Sequence, residues 1–462
     1  MKRILVTALA VAALSATSLT GCSEDHEADS RGLRESPCPD DVEVAVLAEH
    51  SCGYVDRSDG SSVFLLRVSP PEAPTRAPVV VTGTDLGTAP DYGGLVPIAQ
   101  RTGREAIIVD LPGVGHSTPL LACPSLDGLS SAVAEDPDAA TPLLVDAIGV
   151  CRSRFEEIVD AESSAGALHD VVTELGLDQV LALSAGTTGR IILTWAAAHP
   201  DDLEAVVLDT PLVTESDPID RVDGLMHDIA LACADQPACR RDHPRLEDDW
   251  RRALDSLAAA PLPVPVNGVT VRIDDQQLRR AALWVAGGTP RSQGLPGLVE
   301  EAVRRISEGV LGRYAAAAVE GPPLCVGHLP KCAGTPRVAM GALLSLYCPM
   351  LMDAAVWQQP CQAWGATSEG LPGRVTVPTL VLTGRYDPFA PPTEVRNALA
   401  DVVPGAFYVE DPAGGHNVLG DACIREARTA WVNGDLGEAP PRPACLDTRV
   451  IPFPPSPFPP SP

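Results

Sequence analysis

The stretch QVLALSAGTTGRIILTWAAAHP, Gln179 to Pro200, decides how this chain is read. Val180 to Leu183 is an apolar run of strand length, Ser184-Ala185-Gly186 has the composition of a sharp turn, and Thr187 to Ala198 suits a helix. Strand, turn with a serine, then helix is the order of a nucleophile elbow. The tight turn lifts the hydroxyl above the sheet and aims the next helix N-terminus at it. The elbow pattern is G-x-S-x-G, and here it reads Ala182-Leu183-Ser184-Ala185-Gly186, with alanine the least damaging replacement for the first glycine. Taken alone, the stretch also fits an ordinary strand–turn–helix with a chance serine.

Two later stretches bear on that choice. VPTLVLTGRYDPFAPP, Val377 to Pro392, is an apolar strand running into Gly384-Arg385-Tyr386-Asp387-Pro388. Ala413-Gly414-Gly415-His416-Asn417 follows a short strand over Ala406 to Val409. Each polar residue falls just past the C-terminal end of a strand, where doubly wound sheets keep their sites. The chain order Ser184, Asp387, His416 is that of α/β-hydrolase triads. Singly, Asp387 reads as a turn aspartate before proline and His416 as a loop histidine; together they read as a catalytic triad.

The chain has 462 residues, enough for one elaborated domain or two, and 45% of them are hydrophobic. Its formal net charge of −27 and lack of any basic run exclude a phosphate-tracking surface, so no nucleic-acid partner is expected.

Met1-Lys2-Arg3 followed by the apolar Ile4 to Ala16 forms an export signal too short to span a bilayer. Leu19-Thr20-Gly21-Cys22 closes it and resembles a bacterial lipobox, so residues 1–21 read as a lipoprotein signal peptide with Cys22 the lipidated residue. The alternative is a plain secretory signal. Either way the expected location is the outer face of the cytoplasmic membrane, through a lipid anchor, or the secreted space. Setting Cys22 aside leaves 12 of the 13 cysteines, an even number that in an exported chain reads as disulfides. Their connectivity stays open at this level. No C-x-x-C pair or histidine cluster in the sequence suggests a metal site, and no cofactor is expected.

Residues 22–37 are charged and read as a solvated tether. Ser62 to Val68, Val79 to Val81, Glu105 to Asp110 and Leu203 to Asp209 read as strands, and Leu143 to Leu175 as mostly helical. After Pro211 the alternation stops, and strands are expected to resume only at Val377. Residues 212–376 carry helical runs (Ile219 to Ala234, Leu246 to Ala258, Leu298 to Ala318) and read as a cap over the catalytic edge, or as an unrelated inserted domain. The expected fold is thus α/β: a mostly parallel, doubly wound sheet in two parts, 38–211 and 377–446, with a large helical cap inserted after the sixth strand. Residues 447–462 end in IPFPPSPFPPSP, a polyproline-II extension that either has no role or contacts the cell wall or a partner.

Several segments carry a resemblance. They are Asp110…Gly113-Val114-Gly115-His116-Ser117-Thr118-Pro119…Cys123-Pro124, Glu174-Leu175-Gly176-Leu177, Cys233-Ala234-Asp235-Gln236-Pro237-Ala238-Cys239, and Gly415-His416…Cys423…Trp431…Cys445. Over residues 38–446 the chain resembles the α/β-hydrolases of the tripeptidyl and prolyl aminopeptidase group, especially exported actinobacterial members. The resemblance implies disulfides Cys233–Cys239 and Cys423–Cys445, and further suggests Cys38–Cys52, Cys123–Cys151, Cys325–Cys332 and Cys348–Cys361. The chain departs from the family where Thr82-Gly83-Thr84-Asp85-Leu86-Gly87 replaces a Gly-Gly-Pro-Gly run and Leu111-Pro112 replaces an x-Arg pair.

The expected chemistry is acyl transfer without metal or cofactor. Ser184 is the nucleophile, His416 its base, Asp387 the residue that orients the imidazole, and the Thr84 and Ala185 amides the oxyanion donors. The leading expectation is a cell-surface serine exopeptidase acting on peptides with free N-termini. An esterase, lipase or amidase on the same triad, or a catalytically weak surface binding protein, are the alternatives. An aminopeptidase also needs a carboxylate for the substrate ammonium; Asp217, Asp220 and Asp223 are candidates, although solvated acids are the simpler reading.

Overall fold

The apolar runs of the sequence pair side by side. The strands are β1 (Leu33–Ser36), β2 (His50–Asp56), β3 (Ser62–Val68), β4 (Val79–Thr82), β5 (Ala106–Val109), β6 (Val180–Ala185), β7 (Leu203–Asp209), β8 (Leu262–Val266), β9 (Val269–Ile273), β10 (Thr379–Gly384) and β11 (Phe407–Asp411). Nine form one sheet in the order β1-β2-β3-β5-β4-β6-β7-β10-β11. Neighbours from β5 to β11 are parallel, while β1, β2 and β3 run antiparallel to their partners. The computed structural model describes residues 32–42, 49–82, 92–156, 158–213, 217–287, 291–321, 339–351, 355–367 and 370–455. All of them belong to the unit Gly32–Pro462.

Strands β4, β5, β6 and β10 are buried at every residue, which is why they read as unbroken apolar runs rather than as alternations. The period of two survives in the packing. Val79, Val81, Leu181, Leu183, Val207 and Leu382 pack on one face with Ile424, Ala427 and Trp431 of the helix Ala422–Asn433. Val80, Val180, Ala182, Val206 and Leu208 pack on the other with Ile191, Ile192 and Trp195 of the helix Thr188–Ala198. Burying each of these valine, leucine and isoleucine side chains contributes about 1.5–3 kcal/mol. One buried cation stitches the sheet's lower edge: the Arg104 guanidinium donates to Glu204 Oε2 (2.5 Å), Ala77 O (2.8 Å) and Val432 O (3.1 Å).

Three features differ from the sequence expectation. Residues 33–36, assigned to the tether, form β1, because Leu33 and Arg34 find partners in Val55 and Tyr54 of β2. The insertion therefore follows β7, which is the sixth strand once β1 is set aside. The insertion is also not wholly helical: β8 and β9 form a hairpin at 262–273. Its turn, Asn267-Gly268, has φ of 48° and 85°, the pair of left-handed residues a type I′ hairpin needs. Finally, the helical stretch after Leu143 splits into Pro137–Arg152 and Ala161–Glu174, the second begun by an Asp160–Ser163 capping box.

Disulfides join Cys38–Cys52, Cys123–Cys151, Cys233–Cys239, Cys348–Cys361 and Cys423–Cys445. The pair Cys325–Cys332 lies outside the described residues, as do Cys22 and residues 456–462.

At the C-terminal edge of β10 two backbones touch. A Cβ on Gly384 would stand 2.1 Å from Gly415 O and 2.8 Å from Gly414 C, closer than any side chain tolerates. Gly384→Ala is therefore expected to lower stability by about 3 kcal/mol, because only backbone can yield there. Urea unfolding checks this, and a loss under about 0.5 kcal/mol would show that the loop moves freely.

Candidate active site

The site is assembled by three loops at the C-terminal ends of β6, β10 and β11. After β10 the chain turns sharply, with the Arg385 amide donating to Asp411 O (3.0 Å) and the Tyr386 amide to Gly414 O (2.8 Å). The turn carries Asp387. Its Oδ1 accepts the Phe389 and Ala390 amides at 2.8 and 3.0 Å, which leaves Oδ2 directed at His416 Nδ1, 2.9 Å away. Both groups are buried, at 3% and 4% exposure, and the Phe389 ring covers the imidazole at 5.0 Å. A carboxylate can only accept, so Nδ1 carries the proton and Nε2 presents a lone pair. That is a base held in one tautomer.

The His416 loop is positioned by β7. Asp209, the last residue of β7, accepts the Val418 amide on Oδ1 and the Leu419 amide on Oδ2, both at 3.1 Å, and the Thr210 hydroxyl accepts the Asn417 amide at 3.2 Å. Asn417 takes a left-handed φ of 61°, which turns the chain between His416 and these anchors. Asp209 also reaches the third loop, since its carbonyl accepts the Gly186 amide at 3.0 Å. The Arg428 guanidinium lies near enough to Asp209 to feel its charge, and burial lowers that arginine to about 10.

That third loop departs from the sequence reading. Strand β6 does not end before Ser184 but runs on through Ala185, with Ser184 opposite Leu208 and Ala185 opposite Asp209. The sharp turn into the helix is made by Gly186, at φ 59°. The Gly186 carbonyl then accepts the Gly189 and Leu212 amides. Ser184 lies two residues after Ala182 along a pleated strand, so it faces the same side, beneath the helix Thr188–Ala198. It is fully buried, and its hydroxyl has no hydrogen-bond partner among the described residues. The residue lifted by a nucleophile elbow is the strained one between strand and helix. Here that residue is Gly186, and Ser184 stands at the motif's first, small position. The structure therefore joins His416 to Asp387 but does not hydrogen-bond Ser184 to either. The physical reason is that serine and alanine are small enough to extend a buried strand, so the turn comes two residues later. The signal available in the sequence was Gly186 itself, since glycine adopts a positive φ without strain. Of the two expected oxyanion donors, Ala185 lies in this strand and Thr84 is outside the described residues.

The start of the insertion is tied to the Asp387 loop. Arg221 donates to Pro388 O (3.2 Å), Phe389 O (3.3 Å) and Glu394 Oε2 (2.6 Å). Arg190 of the helix after the turn reaches Gly370 O at 2.8 Å. Asp217 caps the turn Pro218–Arg221 by accepting the Ile219 amide, and it is buried, unlike the exposed Asp220 and Asp223.

The arrangement is that of the α/β-hydrolase fold. The strand order, the antiparallel β3 and the histidine and aspartate beyond β11 and β10 define it. Residues 349–440, which include Asp387 and His416, match the family model described as Abhydrolase_4, TAP-like protein. The chain is similar to a proline iminopeptidase from Mycobacterium smegmatis, with 14% identity over 84% of this chain and 97% of that one (TM-score 0.43). It is similar too to a hydrolase from Pseudomonas aeruginosa PA01, at 14% identity over 84% and 98% of the two chains (TM-score 0.39). An α/β-hydrolase fold protein from Nakamurella multipartita shares 17% identity over 84% of this chain and 100% of its own (TM-score 0.37). None of the curated proteins matches the chain.

Burial raises the Asp217 carboxyl above its usual range, against the Ile219 amide and the Arg280 and Arg221 charges that lower it. An acid raised in the folded state costs stability only where it must ionise. The penalty is absent below the unfolded value of about 3.9 and grows as pH rises through the folded one. Asp217→Asn keeps an acceptor for Ile219, so it is expected to exceed the parent in urea midpoint at pH 7 and to match it near pH 3. A difference of the same size at both pH values would contradict this account.

Proposed function

We propose that the protein is a peptide-binding member of the α/β-hydrolase fold that has lost the serine nucleophile and retains the histidine–aspartate pair. It holds short peptides beneath the inserted cap and turns them over slowly, with water in place of an acyl-enzyme. The observation that carries this reading is Gly186, a residue with no side chain at the positive-φ turn where an elbow nucleophile stands. Its missing CH₂OH leaves room for a water that His416 Nε2 can deprotonate, while Asp387 stabilises the resulting imidazolium. The peptide ligand class is supported by the TAP-like match across Asp387 and His416.

The serine-exopeptidase reading makes Ser184 the nucleophile. In its favour stand that same match and the Ser184 hydroxyl, which has no hydrogen-bond partner among the described residues. One experiment separates the two. A fluorophosphonate should leave the parent unlabelled, and Ser184→Ala should keep the parent's slow hydrolysis of a free tripeptide anilide. Gly186→Ser should acquire labelling and raise anilide hydrolysis by about 10²-fold or more, a gain that His416→Ala removes. Labelling of the parent at Ser184, or loss of its turnover in Ser184→Ala, would overturn the proposal and establish the serine enzyme. Comparing the free anilide with its N-acetylated twin then tells whether a free ammonium is recognised.

On the same reading the chain is exported and held by a lipid on Cys22, with its proline-rich tail free to meet the cell wall. The five disulfides among the described residues suit an oxidising compartment. Incorporation of labelled palmitate should vanish in Cys22→Ala; incorporation that persists would argue against this anchor.

A further inference from the structure

At the end of the sheet opposite the candidate active site, His169 meets His199 and Asp202, the latter 33 residues further along the chain. His169 comes from the helix Ala161–Glu174, His199 caps the C-terminus of the helix Thr188–Ala198, and Asp202 closes the short turn before β7. One ligand atom from each lies within 4.8 Å of the others. The two imidazoles stack with centroids 3.9 Å apart and planes 11° from parallel. His169 Nδ1 lies 2.8 Å from Asp202 Oδ2, and Trp195 Nε1 donates to the same oxygen at 2.9 Å.

We propose that His169, His199 and Asp202 form a binding site for a borderline divalent cation of the Zn²⁺ class. Three observations point that way. First, His169 Nδ1 and Asp202 Oδ2 stand 2.8 Å apart, an imidazole nitrogen and a carboxylate oxygen that a cation binds together once it displaces the Nδ1 proton. Second, Trp195 Nε1 donates to the same oxygen, which holds the carboxylate in place and leaves Oδ1 as a further oxygen for the ion. Third, the end of the helix Thr188–Ala198 brings its unsatisfied carbonyls and partial negative charge to the same place, which favours a cation. The pair is reachable from solvent, His169 being 37% exposed and Asp202 14%.

The donor set decides the class of ion. Two imidazoles and one carboxylate suit zinc, nickel or copper, whereas calcium and magnesium demand mostly oxygen. Metal–nitrogen and metal–oxygen bonds of about 2.0–2.2 Å bring neighbouring ligand atoms to about 3.3 Å. The His199 ring lies stacked on His169, so it turns out of the stack to aim a nitrogen at the ion, and water completes the shell. Bound there, the ion would clamp the helix Ala161–Glu174 to the end of the helix that leaves the Gly186 turn. It would act on stability rather than on the chemistry at His416.

The test uses the untagged mature protein with Zn²⁺ alone, by calorimetry and thermal unfolding. One equivalent should bind, raise the thermal midpoint by at least about 2 °C, and be insensitive to excess Mg²⁺. His199→Ala, whose ring makes no hydrogen bond that the fold depends on among the described residues, should weaken Zn²⁺ at least about 10-fold and abolish the thermal shift. A His416→Ala variant should bind Zn²⁺ as the parent does. No binding by the parent would overturn the proposal. So would binding that survives His199→Ala, or that His416→Ala removes. The last outcome would place the ion at the candidate active site.

Discussion

The candidate site hangs on the carboxylate of Asp209. It sits fully buried at the end of a central strand, where a free charge would be costly, and its position is rewarded by two amide donors from the loop that carries His416. The backbone of the same residue holds the Gly186 turn. One residue of β7 thus sets the distance between the loop after β6 and the loop after β11. The Asp387 turn joins them through close backbone contact, Gly384 against Gly415, with the Tyr386 amide on Gly414 O. Because all three loops are fixed by backbone groups, the imidazole is held in place before any ligand arrives.

That rigidity gives meaning to what stands opposite. A histidine held in one tautomer by a buried aspartate can take a proton at Nε2, and this geometry stands although a glycine occupies the turn after β6. The two ends of the helix Thr188–Ala198 then differ in character. Its N-terminal end follows the turn at Gly186, which carries no side chain. Its C-terminal end gathers two imidazoles and a carboxylate. Arg190, buried within the same helix, ties it to the segment at Gly370.

Much of the fold could be read from the chain because its central strands are buried on both faces and therefore announce themselves as runs of Val, Ile and Leu. Those over 62–68, 79–82 and 203–209 appear where expected. The strand at 33–36 was hidden, since its charged residues lie on an exposed edge, where pairing comes from backbone groups and leaves little apolar signature. The hairpin at 262–273 lies within a helix-rich region, where Asn267-Gly268 is the local mark of its turn.

By itself the sequence determined the class of fold, the order in which aspartate and histidine follow their strands, and the small residues that let strand and helix approach. Each of these is written in local composition and period. Only the tertiary structure decided where the turn after β6 falls, because a serine and an alanine can either bend a strand or prolong it, and the register against Leu208 and Asp209 prolongs it. Only the tertiary structure, too, brought His169 to His199 and Asp202. No spacing along the chain encodes that meeting, which follows from packing one helix beside the end of another.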